Sequence, residues 1–138
     1  MYTALVIDDN LNTVTLFREL IGFLLRESGI HESKILTAQS GEEGFDLAYG
    51  NSVDILFADY NLPGINGFGL IRLLRTGVRN TKMVLMSSDH DLLGRFSRRI
   101  DLEIDAILKK PVNRSELKKL VLSSLACVKG SRSTEEQG

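Results

Sequence analysis

Hydrophobic residues fall along the chain as short apolar runs separated by longer stretches of helical period. The runs are Ala4-Leu5-Val6-Ile7, Ile35-Leu36-Thr37-Ala38, Val53 to Ala58, Met83-Val84-Leu85-Met86 and Ala106-Ile107-Leu108. Each is too short for an ordinary helix, and several are rich in β-branched residues. Their near-continuous apolar character predicts strands buried on both faces, as in a parallel sheet.

The intervening segments repeat with helical spacing. Phe17, Leu20, Ile21, Leu24 and Leu25 recur as an apolar stripe, the pattern of a helix packed on a sheet. Ser40 and Glu43 have capping-box spacing and start a second helix that runs toward Tyr49 and Gly50. Gly67 to Arg75 carries Leu70, Ile71 and Leu74, and Asp91 to Arg99 carries Leu92, Leu93 and Phe96 among arginines. Asn113 and Glu116 open a last helix with the stripe Leu117, Leu120, Val121 and Leu125. Five β-α units in succession imply right-handed crossovers with helices on both faces. The expected architecture is α/β: a doubly wound five-stranded parallel sheet of order 2-1-3-4-5.

Composition narrows the function classes. The chain has 138 residues, 43% hydrophobic and 25% charged, which suits one self-sufficient core. A formal net charge of -1 supplies no global basic field, so direct nucleic-acid binding is not expected. One cysteine, Cys127, excludes an internal disulfide and a cysteine-based zinc site. No stretch is long and apolar enough for a membrane helix, and Met1-Tyr2-Thr3 does not open a signal peptide; a cytoplasmic location without membrane contact is expected. The domain is expected over residues 1–126. Residues 127–138 are polar without apolar period and read as a tail or linker stub.

Ligands of a doubly wound sheet sit outside the carboxyl ends of its strands. Those ends carry Asp8-Asp9, Asp59, Ser87-Ser88 and Lys110-Pro111. Strands one, three, four and five are neighbours in the expected order, so these residues should converge. Each has a plain reading of its own: Asp8-Asp9 as a helix cap, Asp59 as a turn residue, Ser87 as a cap and Lys110 as a solvated charge. Their conjunction at neighbouring strand ends favours a site. Clustered carboxylates without imidazole or thiolate suit a hard cation such as Mg²⁺. One carboxylate then acts as nucleophile, while a lysine and a hydroxyl stabilise the transferring oxygens.

With these residues the chain resembles the receiver domains of two-component response regulators, over about residues 3–126. The most specific stretch is Asp59-Tyr60-Asn61-Leu62-Pro63-Gly64-Ile65-Asn66-Gly67. The resemblance implies the flavodoxin-like (βα)5 fold and a phosphoacceptor role for Asp59. It implies Mg²⁺ ligation by Asp9 directly, by Asp8 through water, by Asp59 and by the Asn61 carbonyl. Ser87 would then hydrogen-bond one phosphoryl oxygen and Lys110 pair with another. It also implies a cis Lys110-Pro111 bond, and a phosphohistidine donor on a sensor histidine kinase or phosphotransfer protein. A downstream protein or output domain would read the face of Asp91–Arg99, Ile107 and Asn113–Leu125, made basic by Arg95, Arg98 and Arg99. His31 and His90 read as loop residues. Two positions depart from the family pattern: Ile107 stands where an aromatic is usual, and Glu103-Ile104 where Gly-Ala is usual. Two other classes fit fewer residues. A pseudo-receiver would bind partners without phosphorylation. A phosphatase of the haloacid-dehalogenase type would place an Asp-x-Asp motif on the first strand, where this chain has Asp8-Asp9-Asn10.

Overall fold

The structure is a computed structural model that describes residues 1–78, 80–89, 94–95 and 104–137. Five parallel strands form one sheet: β1 (Tyr2–Ile7), β2 (Ser33–Ala38), β3 (Ile55–Asp59), β4 (Lys82–Ser87) and β5 (Ala106–Lys109). Their order is β2-β1-β3-β4-β5, as the alternating pattern predicts. The described helices are α1 (Leu11–Glu27), α2 (Gly41–Gly50), α3 (Gly67–Arg75) and α4 (Arg114–Gln137). The helix expected over Asp91–Arg99 lies mostly outside the described residues, as do His90, Arg98 and Arg99.

Successive strand residues point to opposite faces, so the sheet divides the core in two. Leu5, Ile7, Leu56, Ala58, Met83 and Leu85 are buried with Leu70, Ile71 and Leu74 of α3 on one face. Val6, Ile55, Phe57, Val84 and Met86 are buried with Phe17 and Ile21 of α1 and Leu117 and Val121 of α4 on the other. Burial on both faces explains the uninterrupted apolar runs. The rings of Phe17 and Phe57 stand 5.4 Å apart, locking α1 to the middle of the sheet.

The caps follow local chemistry. Ser40 Oγ accepts the Glu43 amide hydrogen at 3.1 Å, and Asn113 Oδ1 accepts that of Glu116 at 3.1 Å, both at the starts expected from the sequence. α1 is capped by Asn10, whose Oδ1 accepts from the Asn12 and Thr13 amides. The plain reading of Asp8-Asp9 as the helix cap is therefore replaced.

One helix is longer than expected. α4 does not end near Leu125 but continues through Gln137, across the polar segment read as a tail or linker. That segment has no proline, and Lys129, Arg132, Glu135, Glu136 and Gln137 are favourable helix formers. Apolar period cannot reveal such a stretch, because it has no apolar face. No helix among the described residues is long and apolar enough to cross a membrane.

Candidate functional site

The carboxyl ends of β1, β3 and β5 bring together Asp8, Asp59 and Lys110. Backbone hydrogen bonds past the strand ends hold them in register. The Asp8 amide donates to Ala38 O at 3.0 Å, the Tyr60 amide to Met86 O at 2.8 Å and the Lys110 amide to Ser87 O at 3.0 Å. Each side chain thus leaves from backbone tied to the next strand.

Asp8 and Asp59 are buried, and Asp9 is exposed at their side. One carboxylate oxygen from each lies within 4.8 Å of the others. Two unit charges at that distance repel by roughly 3.5 kcal/mol at an effective dielectric of 20. Lys110 Nζ answers part of this, 2.5 Å from Asp8 Oδ2 and 3.4 Å from Asp59 Oδ1. The other Asp8 oxygen accepts the Asn10 amide hydrogen at 2.9 Å. Asn10 thus both caps α1 and orients Asp8. Sequence reasoning missed it because Asp8, Asp9 and Asn10 are all good cap residues in a row.

The Asp59 carboxyl is held above its ordinary pKa of 3.8. Burial is the main cause and the charge of Asp8 the second, opposed by Lys110. Three carboxylates against one ammonium leave two negative charges in a partly buried pocket. An all-oxygen donor set with this charge fits a divalent cation of the Mg²⁺ kind.

The loop after Asp59 is fixed by Gly67. Its amide donates to Tyr60 O at 2.9 Å. A Cβ at this position would stand 2.2 Å from the Asp59 carbonyl oxygen, so only glycine allows α3 to start here.

The remaining expected residues are placed as follows. Asn61 lies exposed in the loop two residues past Asp59. Ser87 ends β4 and is fully buried, and its Oγ accepts the Asp89 amide hydrogen at 3.0 Å rather than touching the carboxylates. The Lys110-Pro111 bond is cis. Ile107 is half-buried and packs on the core layer of α2 and α3, with Ile104 fully buried beside it. His31 is exposed between α1 and β2.

Comparison with known proteins follows the same outline. A family model described as the response regulator receiver domain matches residues 4–122. The two-component response regulator ARR7 of Arabidopsis thaliana is 28% identical over 130 residues, covering 85% of this chain and 59% of that protein. The cell cycle transcriptional regulator CtrA of Caulobacter vibrioides is 29% identical over 92 residues, covering 67% of this chain and 36% of that protein. The matches thus span only part of each relative. A crystal structure of a response regulator receiver domain protein from Clostridium thermocellum superposes with a TM-score of 0.73 at 24% identity, covering 94% of this chain and 98% of that one; it bears on the fold alone.

Proposed function

Because the chain belongs to the response regulator receiver domain family of two-component signalling, we propose that Asp59 accepts a phosphoryl group from a phosphohistidine on a sensor histidine kinase or phosphotransfer protein. The observation that carries this reading is the convergence of Asp8, Asp9 and Asp59 with Lys110 at one end of the sheet.

An Asp59 carboxylate oxygen attacks phosphorus as the donor's N–P bond breaks, and the released imidazole takes a proton from solvent. Lys110 already stands within reach of Asp59, so it can leave Asp8 to pair with a phosphoryl oxygen. Ser87 Oγ accepts from the Asp89 amide, which leaves its hydroxyl hydrogen to be donated to another oxygen. Asp8, Asp9, Asp59 and the Asn61 carbonyl would hold a Mg²⁺ ion, which supplies charge neutralisation for the transferring oxygens. Asn10 keeps Asp8 aimed, and Gly67 keeps the Asp59 backbone in place.

Phosphorylation adds about one and a half to two negative charges near neutral pH. Movement of Ser87 and Lys110 toward that charge would pull on β4, β5 and the segment between them. The face of Asp91–Arg99, Ile107 and Asn113–Leu125 is the surface proposed to pass the signal to a downstream protein or output domain. Ile107 has no hydroxyl and a branched aliphatic shape, so its part in that transmission is packing alone. In this reading residues 1–126 form the receiver domain, residues 127–138 are a polar tail or linker stub, and the protein acts in the cytoplasm.

Mg²⁺-dependent uptake from acetyl phosphate tests the reading. Intact mass should rise by one phosphoryl group with Mg²⁺ and stay constant when EDTA replaces it. An unchanged mass under both conditions would overturn the proposal.

A further inference from the structure

A groove of about 600 Å³ runs between α2, α3 and the loop that links β3 to α3. Its apolar lining comes from Phe45, Pro63, Ile65, Leu70 and Leu73. Leu73 is 48% exposed, and Tyr49, its ring tilted against that of Phe45 with centroids 4.6 Å apart, is 50% exposed beside it. Gly41 lets the Ile65 wall approach α2, since a Cβ there would meet Ile65 Cγ2 at 2.5 Å. A concave apolar lining with a few polar groups at its edge is the form that binding sites take.

The rim has a sign. Glu42 lines the groove, and Asp46 lies one helical turn further along the same exposed face of α2. Neither carboxylate has an ion-pair partner among the described residues. The cations of α3 are engaged elsewhere, Arg72 over the Phe68 ring and Arg75 with Asp105. We propose that this groove docks an amphipathic helix that carries lysine or arginine beside its apolar stripe.

The shape favours a helix. Two of the walls are helices, and α2, ten residues long, offers about 15 Å of contact at 1.5 Å per residue. A second copy placed symmetrically would set each acidic rim against itself. An anionic lipid surface would be repelled by the same carboxylates. The loop wall follows Asp59 directly, so a docked helix would touch the segment that positions it. Docking itself does not depend on the chemistry assigned to Asp59.

Amide NMR of the full chain tests the proposal. The probe is a synthetic helical peptide with leucines at i, i+3, i+4 and i+7 flanked by lysines; its control carries glutamates in place of the lysines. Shifts should concentrate at residues 41–50 and 64–73 with the lysine peptide. The glutamate peptide should bind roughly ten-fold more weakly at low salt. Combined Glu42→Lys and Asp46→Lys changes should reverse that preference, and Leu73→Ser should weaken both peptides, with circular dichroism unchanged because all three positions are exposed. Shifts centred elsewhere, or equal affinity for both peptides, would overturn the proposal. Concentration-dependent shifts at these residues without peptide would assign the groove to self-association and overturn it as well.

Discussion

Lys110 Nζ lies 2.5 Å from Asp8 Oδ2, although 102 positions separate the two residues in the chain. The lysine is thus held by a carboxylate other than the proposed phosphoacceptor, with Asp59 Oδ1 at 3.4 Å. Before phosphorylation it balances the acidic cluster; afterwards the phosphoryl oxygens compete for it. Lys110→Met should slow phosphoryl uptake from acetyl phosphate by ten-fold or more, because the transferring oxygens lose their nearest protein cation. Stopped-flow or timed mass measurements check this. An unchanged rate would remove Lys110 from the chemistry.

Asp59→Asn should stabilise the metal-free protein at neutral pH, since it removes a buried charge beside Asp8. The sign follows from the raised pKa. The folded chain binds the Asp59 proton more tightly than the unfolded chain does. Stability therefore falls as pH rises from the ordinary 3.8 through the folded value. The gap between the Asp59→Asn variant and the natural chain should widen over that window and then level off. Urea melts in EDTA across pH read this directly.

Magnesium should work against that ranking. At a ten-fold excess over its Kd, a cation that binds only the folded form adds roughly 1.4 kcal/mol. The natural chain should gain this in Mg²⁺, and the Asp59→Asn variant should gain less. Equal gains in thermal melts would place the ion elsewhere.

Gly67→Ala should cost about 2 kcal/mol, as a Cβ meets the Asp59 carbonyl, which cannot move without displacing β3. It should also slow phosphoryl uptake through misplacement of Asp59. Gly50→Ala is the control: open space surrounds that position, and alanine favours the helix. Melting temperatures of the two variants should move in opposite directions.

Tyr2 gives a prediction at the far end of the sheet. Its hydroxyl hydrogen-bonds Ser124 in the core at 2.5 Å, and burial pushes its pKa from 10.0 to about 12. The folded chain retains a proton that the unfolded chain releases, so stability drops by about 2 kcal/mol as pH rises from 10 to 12. Tyr2→Phe should remove that fall; Ser124 keeps its bond to Val121 O at 2.7 Å. Parallel alkaline denaturation of the two proteins checks it.

Much of this was legible in the residue pattern, for physical reasons. Strands buried on both faces write themselves as apolar runs, and the first polar residue after each run marks the carboxyl end of the strand. Asp8, Asp59 and Ser87 stand at that position, while Lys110 is the second polar residue after its run and stands out through the Pro111 that follows it. Contacts set by three-dimensional approach left no such mark. Nothing in the spacing says that Asn10, rather than Asp8 or Asp9, caps α1. Nor does it show that Gly67 abuts the Asp59 carbonyl, or that the Ser87 hydroxyl faces the Asp89 amide. The groove beside Phe45 and Leu73 is likewise a gap between helices, and a sequence records residues but not the space between them.

The most direct test of the central claim is to map the phosphoryl group by tandem mass spectrometry after incubation with Mg²⁺ and acetyl phosphate. A single modified site at Asp59, absent from the Asp59→Asn variant, is the expected result. Modification at another residue, or equal labelling of that variant, would contradict it.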